Sequence, residues 1–140
     1  MFEEVKGERL RTTFADAPSV CIEGHEGSTE CVLRFDSSPL DGERMNWVTN
    51  LRFVHVLDLR FSDFELGLEL SDRQDFAYAL IRLIDSQTLQ LFVDSGSLRR
   101  TAIPVLRDSN LHHYRIAFDD HGVYDIVCTG IEISYERVAM

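Results

Sequence analysis

Three histidines and a cysteine near the C-terminal end are the residues of this sequence most suited to binding a metal: His112, His113, His121 and Cys128. Zinc takes nitrogen and sulfur ligands of this kind, provided that the side chains converge on one point. His112 and His113 are neighbours in a segment that is typical of a strand, so their side chains point to opposite faces of a sheet. His121 falls in a predicted turn. We therefore predict no metal centre and no bound cofactor.

The sequence offers no support for nucleophilic catalysis. A Ser-His-Asp set can be assembled from any chain of this size, but the motif Gly-x-Ser-x-Gly is absent. No glycine-rich segment of the kind that binds phosphate groups is present either. We therefore predict that the protein is not an enzyme.

Two aromatic side chains and a pair of arginines are the candidates for ligand binding. Trp47 and Tyr135 are the aromatic residues least clearly assigned to the core, and aromatic faces stack on sugar rings. Arg99 and Arg100 follow a predicted turn at 94–97. They form a cationic pair that a partner could contact, although a solvated strand edge carries the same pattern. These four residues are the predicted ligand-binding set.

Length and charge limit the classes of partner. The chain has 140 residues, 44% hydrophobic and 27% charged, which suits one globular domain over 1–140. Its formal net charge is −10. Such a chain repels a phosphate backbone and an anionic membrane surface, so we predict no nucleic-acid binding and no membrane association. A basic protein and a neutral ligand such as a glycan both stay open, as does a homo-oligomer.

The first residues and the cysteines bear on the compartment. No apolar run reaches membrane-spanning length, and the chain begins with acidic residues where a signal peptide is basic. If the chain is complete, we expect it in the cytoplasm. The three cysteines lack a Cys-x-x-Cys spacing, which argues against a disulfide framework. Cys21 and Cys31 either form a disulfide across a hairpin or, as we favour, serve as small buried apolar residues.

The segment 111–133 gives the strongest structural signal. It alternates apolar and polar residues on both sides of 119–122, where Gly122 predicts a turn closed by a glycine in the left-handed region. The expected register places Phe118 opposite Tyr124, Ile116 opposite Ile126, and Tyr114 opposite Cys128. All six side chains fall on one face, which predicts a hairpin with one apolar side.

The rest of the chain predicts further short strands. We place them at 19–23, 30–35, 53–61, 64–70, 88–93, 98–103 and 131–136, with Ser62 and Asp63 as the turn between 53–61 and 64–70. The segment 71–85 is ambiguous, because Ser71 and Gln74 resemble a helix capping box while 76–84 suits a buried strand. We favour the strand. The fold prediction is therefore an all-β antiparallel sandwich, with an α+β antiparallel sheet carrying one helix near 72–85 as the alternative.

A resemblance narrows this fold further. The segment 111–116, LHHYRI, looks like the Trp-His-x-Tyr-Arg-Ile strand of concanavalin A-like domains, which include the laminin G-like domains. The segments FAYAL at 76–80 and LQL at 89–91 are similar to the central strands of that family. Leu111 replaces the usual Trp, and Thr129 replaces the usual Asp. The resemblance implies an antiparallel jelly-roll β-sandwich and, often, glycan or protein binding.

The functional prediction depends on whether this sequence has the catalytic residues of enzymes with the concanavalin A-like fold. Hydrolases of this fold use paired carboxylates as Glu-x-Asp-x-Glu on one strand. The nearest segment, 65–69, has a different spacing and predicts the solvated side of a hairpin. We therefore predict a non-catalytic binding module that recognises a glycan or a protein partner. The alternative, suggested by the net charge, is a small acidic inhibitor or immunity-type protein that masks a basic site on an enzyme.

Overall fold

A computed structural model describes residues 2–5, 18–37, 46–63, 80–84, 86–94, 111–118 and 121–138. These residues form nine strands and one helix, in the following order. They are β1 (Phe2–Glu4), β2 (Ser19–His25), β3 (Ser28–Ser37), β4 (Asn46–Val54), β5 (Asp58–Asp63), β6 (Ile81–Leu83), α1 (Gln87–Asp94), β7 (His112–Phe118), β8 (Gly122–Cys128) and β9 (Gly130–Val138).

The strands form two antiparallel sheets, as predicted. One has the order β2-β3-β4-β9, and the other has the order β1-β6-β7-β8-β5. The chain passes from the first sheet to the second between β4 and β5, where His55 adopts a positive φ of 50°. Val56 donates its backbone N–H to Thr29 and Leu57 donates to Val127, each at 2.8 Å, so the crossing is bonded to both sheets. The continuous strand predicted over 53–61 is therefore wrong.

The hydrophobic core lies between the two sheets. Alternate residues of each strand point inward, because successive side chains of a strand face opposite sides. Phe35 of β3 packs edge-on against Phe118 of β7, with ring centroids 5.1 Å apart, and Phe53 of β4 packs against Tyr114 at 5.8 Å. Burying such aromatic surface contributes about 25 cal/mol per Å² removed from water. These contacts hold the sheets together.

The hairpin β7–β8 has the predicted apolar face but a different register. Phe118 lies opposite Gly122, Ile116 opposite Tyr124, and Tyr114 opposite Ile126, a shift of two residues from the prediction. Such a shift keeps every side chain on its face, because the side-chain period of a strand is two. His121 donates its backbone N–H to Phe118 O at 3.2 Å and closes a short loop. Gly122 is a strand residue without positive φ, so the predicted left-handed glycine is wrong.

The hairpin β2–β3 and the last strand are confirmed, with wider bounds than predicted. A tight turn joins β2 to β3, and Gly27 occupies it with a φ of 76°. Cys21 pairs with Val32, and Cys31 pairs with Ile22. The two cysteines therefore point to opposite faces: Cys21 is exposed, Cys31 is buried, and both are free thiols.

Two further predictions are wrong: the strand at 88–93 and the turn at Ser62 and Asp63. The segment 88–93, predicted as a strand, belongs to helix α1. Residues 71–79 of the ambiguous segment lie outside the described residues. Ile81–Leu83 is a strand, so a helix over 72–85 does not extend through it. Ser62 and Asp63 pair with Val123 and Gly122 in β5 rather than forming a turn. The predicted strands 64–70 and 98–103 lie outside the described residues.

Candidate functional site

A row of charged side chains crosses the five-stranded sheet on the face that points away from the core. Arg60 of β5 lies opposite Asp125 of β8, and Asp125 lies opposite Arg115 of β7. Since paired residues share a face, the three side chains stand side by side. Alternation along 111–133 by itself places Arg115 and Asp125 on one face, but it carries no information about Arg60.

Each arginine of this row is held by an aspartate through its own Nε atom. Arg115 donates Nε–H to Asp125 Oδ1 at 2.9 Å, and Arg60 donates Nε–H to Asp58 Oδ2 at 2.8 Å. A guanidinium has five N–H donors in a fixed plane. A hydrogen bond at Nε fixes the plane of each guanidinium group. The two terminal nitrogens of each guanidinium take no part in that hydrogen bond. This arrangement suits recognition of a planar oxyanion.

His113 connects the sheet to helix α1. Its Nε2 lies 2.7 Å from Asp125 Oδ1, and its Nδ1 lies 2.5 Å from Ser86 Oγ. The carboxylate can only accept, so Nε2–H donates to Asp125, and Nδ1 shares a hydrogen bond with the Ser86 hydroxyl. Ser86 Oγ also accepts the Leu89 backbone N–H at 3.1 Å, which is the bond of a helix N-cap. Only 5% of the His113 side chain is exposed, so the link is well shielded from water.

Hydrogen bonds link Ser86, His113 and Asp125 in the order of a serine hydrolase's catalytic triad, but the surroundings of these residues differ. The Ser86 hydroxyl is engaged in capping α1 and does not line the adjoining cleft. Asp125 Oδ1 is shared with Arg115, whose positive charge opposes the carboxylate's stabilisation of an imidazolium. We therefore interpret these hydrogen bonds as a structural link between helix α1 and the five-stranded sheet.

Asp125 stays ionised although it is well buried. Burial by itself raises its pKa, but the hydrogen bonds from His113 and Arg115 and the charge of the Arg115 guanidinium outweigh burial. The net effect lowers the pKa of Asp125 below its ordinary value of 3.8. The row therefore keeps its negative centre at neutral pH.

These residues border a cleft of about 190 Å³. It is lined by Asp58, Arg60, Ser62, Thr88, His113, Arg115, Asp125 and Val127. Two arginines and two aspartates cancel in charge, and Ser62 and Thr88 add hydroxyl groups. Thr88 belongs to the first turn of α1, where backbone N–H groups give a partial positive charge. The described part of the lining is therefore polar, has balanced charge and is rich in hydrogen-bond donors.

The outward face of the four-stranded sheet has a different character. In β2, β3, β4 and β9 the residues that alternate with the core residues carry five carboxylates against two arginines. The carboxylates are Glu23, Glu30, Asp36, Glu132 and Glu136, and the arginines are Arg34 and Arg52. Both arginines are paired within the face: Arg34 Nη1 lies 2.6 Å from Glu136, and Arg52 Nη1 lies 2.5 Å from Glu30. Negative charge thus remains in excess.

The carboxylates around Arg52 show the same excess of negative charge. The hydrogen bond and the charge of Glu30, with smaller contributions from Glu23 and Glu132, raise the pKa of Arg52 above its ordinary value. The ligand atoms of Glu23, His25 and Glu30 lie within 4.8 Å of one another, close enough to hold a cation. Arg52 already binds Glu30 and lies 3.8 Å from Glu23, so a cation there would meet its charge. We assign this cluster to the ion-pair network.

The structure places the two aromatic residues of the predicted ligand set apart from both surfaces. Tyr135 lies opposite Thr49, and Trp47 is two residues before Thr49 on the same strand. The two aromatic side chains therefore share the inward face of the four-stranded sheet, where both are half-buried. Arg99 and Arg100 lie outside the described residues. As predicted, His112 and His113 face opposite sides of β7. His121 Nε2 lies 2.7 Å from the Tyr124 hydroxyl, a contact that was not predicted.

Among the described residues, no helix is long and apolar enough to cross a membrane. Comparison with known proteins adds no identity to this geometry: no protein-family model, curated protein or solved structure matches the chain.

Proposed function

We propose that this chain is a non-catalytic binding module that docks a basic protein on the outward face of its four-stranded sheet. The observation that carries the proposal is the excess of carboxylates on that face, five against two arginines that are already paired within it. The net charge of −10 acts in the same direction. A small acidic inhibitor or immunity-type protein that masks a basic site works in this way.

The exposure of the face supports docking. About half of the Glu136 side chain is exposed, as are 44% of Glu23 and 45% of Arg34. Asp36 and Glu132 are exposed as well. An acidic surface of this kind speeds the encounter with a basic partner and disfavours acidic competitors, so it supplies association rate and specificity.

Glycan binding has less support from the geometry. Stacking on a sugar requires an aromatic face open to solvent. Trp47 and Tyr135 point toward the other sheet and are half-buried. The concanavalin A-like jelly-roll topology stays a part of the proposal and rests on the resemblance of segment 111–116 together with the two antiparallel sheets.

Association kinetics test the proposal. A basic partner recovered from the native source is immobilised, and the association rate constant is measured at about 20 mM and about 200 mM salt, which changes the screening length roughly threefold. We expect the rate to fall at least about tenfold, and Glu132→Arg to lower the low-salt rate by a similar factor. Glu4→Arg, on β1 of the other sheet, is the matched control with the same change in net charge and should lower the rate much less.

Two outcomes would contradict the proposal. Equal losses for Glu132→Arg and Glu4→Arg would show that net charge, rather than this face, directs binding. Salt-insensitive binding to a neutral sugar, abolished by Trp47→Ala in a folded protein, would favour a lectin instead.

A further inference from the structure

The cleft on the outward face of the five-stranded sheet is built like a ligand site, and it lies on the opposite side of the molecule from the acidic face. We propose that it binds a small carboxylate between Arg60 and Arg115. This inference is independent of the docking proposal, because it uses the other sheet and none of the acidic face.

The position of the two arginines fits one planar oxyanion. They stand on β5 and β7, on either side of Asp125 of β8. Strands two apart in a sheet are separated by about 10 Å, which two long side chains can bridge from both sides. Each guanidinium is held at Nε by an aspartate, so its terminal N–H groups form the edge that a carboxylate accepts from.

The burial of these side chains and the hydrogen bonds between them also favour a preformed site. Arg115 and Asp125 are 18% and 17% exposed, and His113 is 5% exposed. His113 fixes Asp125, which in turn fixes Arg115, and Ser86 fixes His113. Arg60 is the more accessible side of the cleft, since 63% of its side chain is exposed. A ligand would therefore meet one partly buried arginine and one exposed arginine, each already oriented by an aspartate.

Charge selects a carboxylate over a phosphate. Asp58 and Asp125 balance the two arginines, so the described lining residues leave no surplus positive charge for a dianion. A single carboxylate accepts hydrogen bonds from both guanidinium groups and meets less repulsion from the aspartates. The hydroxyl groups of Ser62 and Thr88 can bond a polar substituent, and Val127 can contact a short alkyl group. The volume of about 190 Å³ limits the ligand to a small molecule.

Titration by NMR tests this site with defined probes. Sodium acetate and, separately, sodium phosphate are added to the full chain at constant ionic strength, and the backbone amide and arginine Nε–H signals are followed. We expect acetate to give saturable shifts at Arg60 and Arg115 and in β5, β7 and β8. Arg60→Gln should weaken the acetate affinity about tenfold, the loss expected for one charge-assisted hydrogen bond.

Arg34→Gln is the matched control, because Arg34 is also an exposed, ion-paired arginine but lies on the acidic face. It should leave the acetate affinity unchanged. Absence of saturable shifts, stronger binding of phosphate than acetate, or equal weakening by Arg60→Gln and Arg34→Gln would each overturn the proposal. Arg115→Lys provides a second variant that keeps the charge, and it should lose affinity because an ammonium cannot form the planar fork.

Discussion

Gly122 is required for space rather than for backbone conformation. A Cβ at this position would lie 2.5 Å from the Ser62 carbonyl oxygen and 2.5 Å from Phe61 Cε2. The Phe61 ring can move, but the carbonyl belongs to the paired strand β5. We therefore expect Gly122→Ala to destabilise the fold by about 1–3 kcal/mol, the usual cost of overpacking, and Gly122→Val by more. Gly24→Ala, with no atom within 4 Å of its Cβ, is the control in urea unfolding. Equal unfolding midpoints for the two alanine variants would contradict this explanation.

The cysteines differ in the chemistry available to them. Burial, together with the charge of a neighbouring cysteine, raises the pKa of Cys31 to about 11. Burial, with a smaller contribution from Cys31, also raises the pKa of Cys128, to about 12, against an opposing backbone hydrogen bond at Gly130. Since the thiolate is the reactive form, we expect only the exposed Cys21 to react quickly with a disulfide reagent at pH 8. Cys21→Ser should remove this fast reaction, and denaturant should release the other two thiols. Fast reaction of two or three thiols in the native protein would contradict the burial.

The carboxyl of Asp125 makes part of the stability depend on pH. Its pKa is lower in the folded chain than its ordinary value of 3.8. Its contribution is therefore present above pH 3.8 and is lost as the pH falls through the lower, native pKa. We expect Asp125→Asn to be less stable than the wild type at pH 7 and the difference in unfolding free energy to narrow as the pH falls below 3.8. Parallel pH profiles for the two proteins would show that the carboxylate is not the group responsible.

At the scale of elements, α1 depends on its attachment to the sheet. Its segment is apolar enough to suit a strand, and Leu91 is 67% exposed while Leu89 and Phe92 are only partly buried, so burial by itself holds the helix weakly. Ser86 both caps the helix and bonds to His113 of β7. We expect Ser86→Ala to cost about 1–3 kcal/mol, because it removes the cap and leaves a shielded imidazole nitrogen without its partner. Hydrogen exchange should show faster exchange of the Leu89 amide. Ser86→Thr keeps the hydroxyl and should restore protection; failure of Ser86→Ala to change exchange would contradict the link.

At the scale of the whole molecule, stability comes from the contact between the two sheets. Phe53 is fully buried and packs against Tyr114 across the core, whereas Phe61 is 51% exposed at an edge strand. We expect Phe53→Ala to cost about 3–5 kcal/mol and Phe61→Ala clearly less, since the cavity left in the core cannot fill with solvent. Urea unfolding measures both. Similar losses would mean that the sheets do not share one core.

The two faces of this molecule separate two kinds of electrostatics. The outward side of the four-stranded sheet carries excess negative charge, while the described residues of the cleft on the other sheet are balanced in charge and partly shielded. Docking on the first face should weaken with salt, and carboxylate binding in the cleft should depend on the geometry of Arg60 and Arg115. The two proposals can therefore fail independently of each other.

The sequence alone determined which side chains share a face along 111–133 and that the chain folds mainly into antiparallel strands. Alternation with period two is a local property, so it could be read without knowing the partner strand. Tertiary structure decided the register of β7 and β8. Residue 122 must be a glycine because Phe61 and Ser62 of β5, about sixty residues earlier in the sequence, leave no space for a Cβ there. Tertiary structure also decided that 87–94 is a helix, since its anchor is His113 of β7. The cleft escaped prediction for the same reason: β5, β7, β8 and α1 are distant in sequence and meet only in the folded sheet.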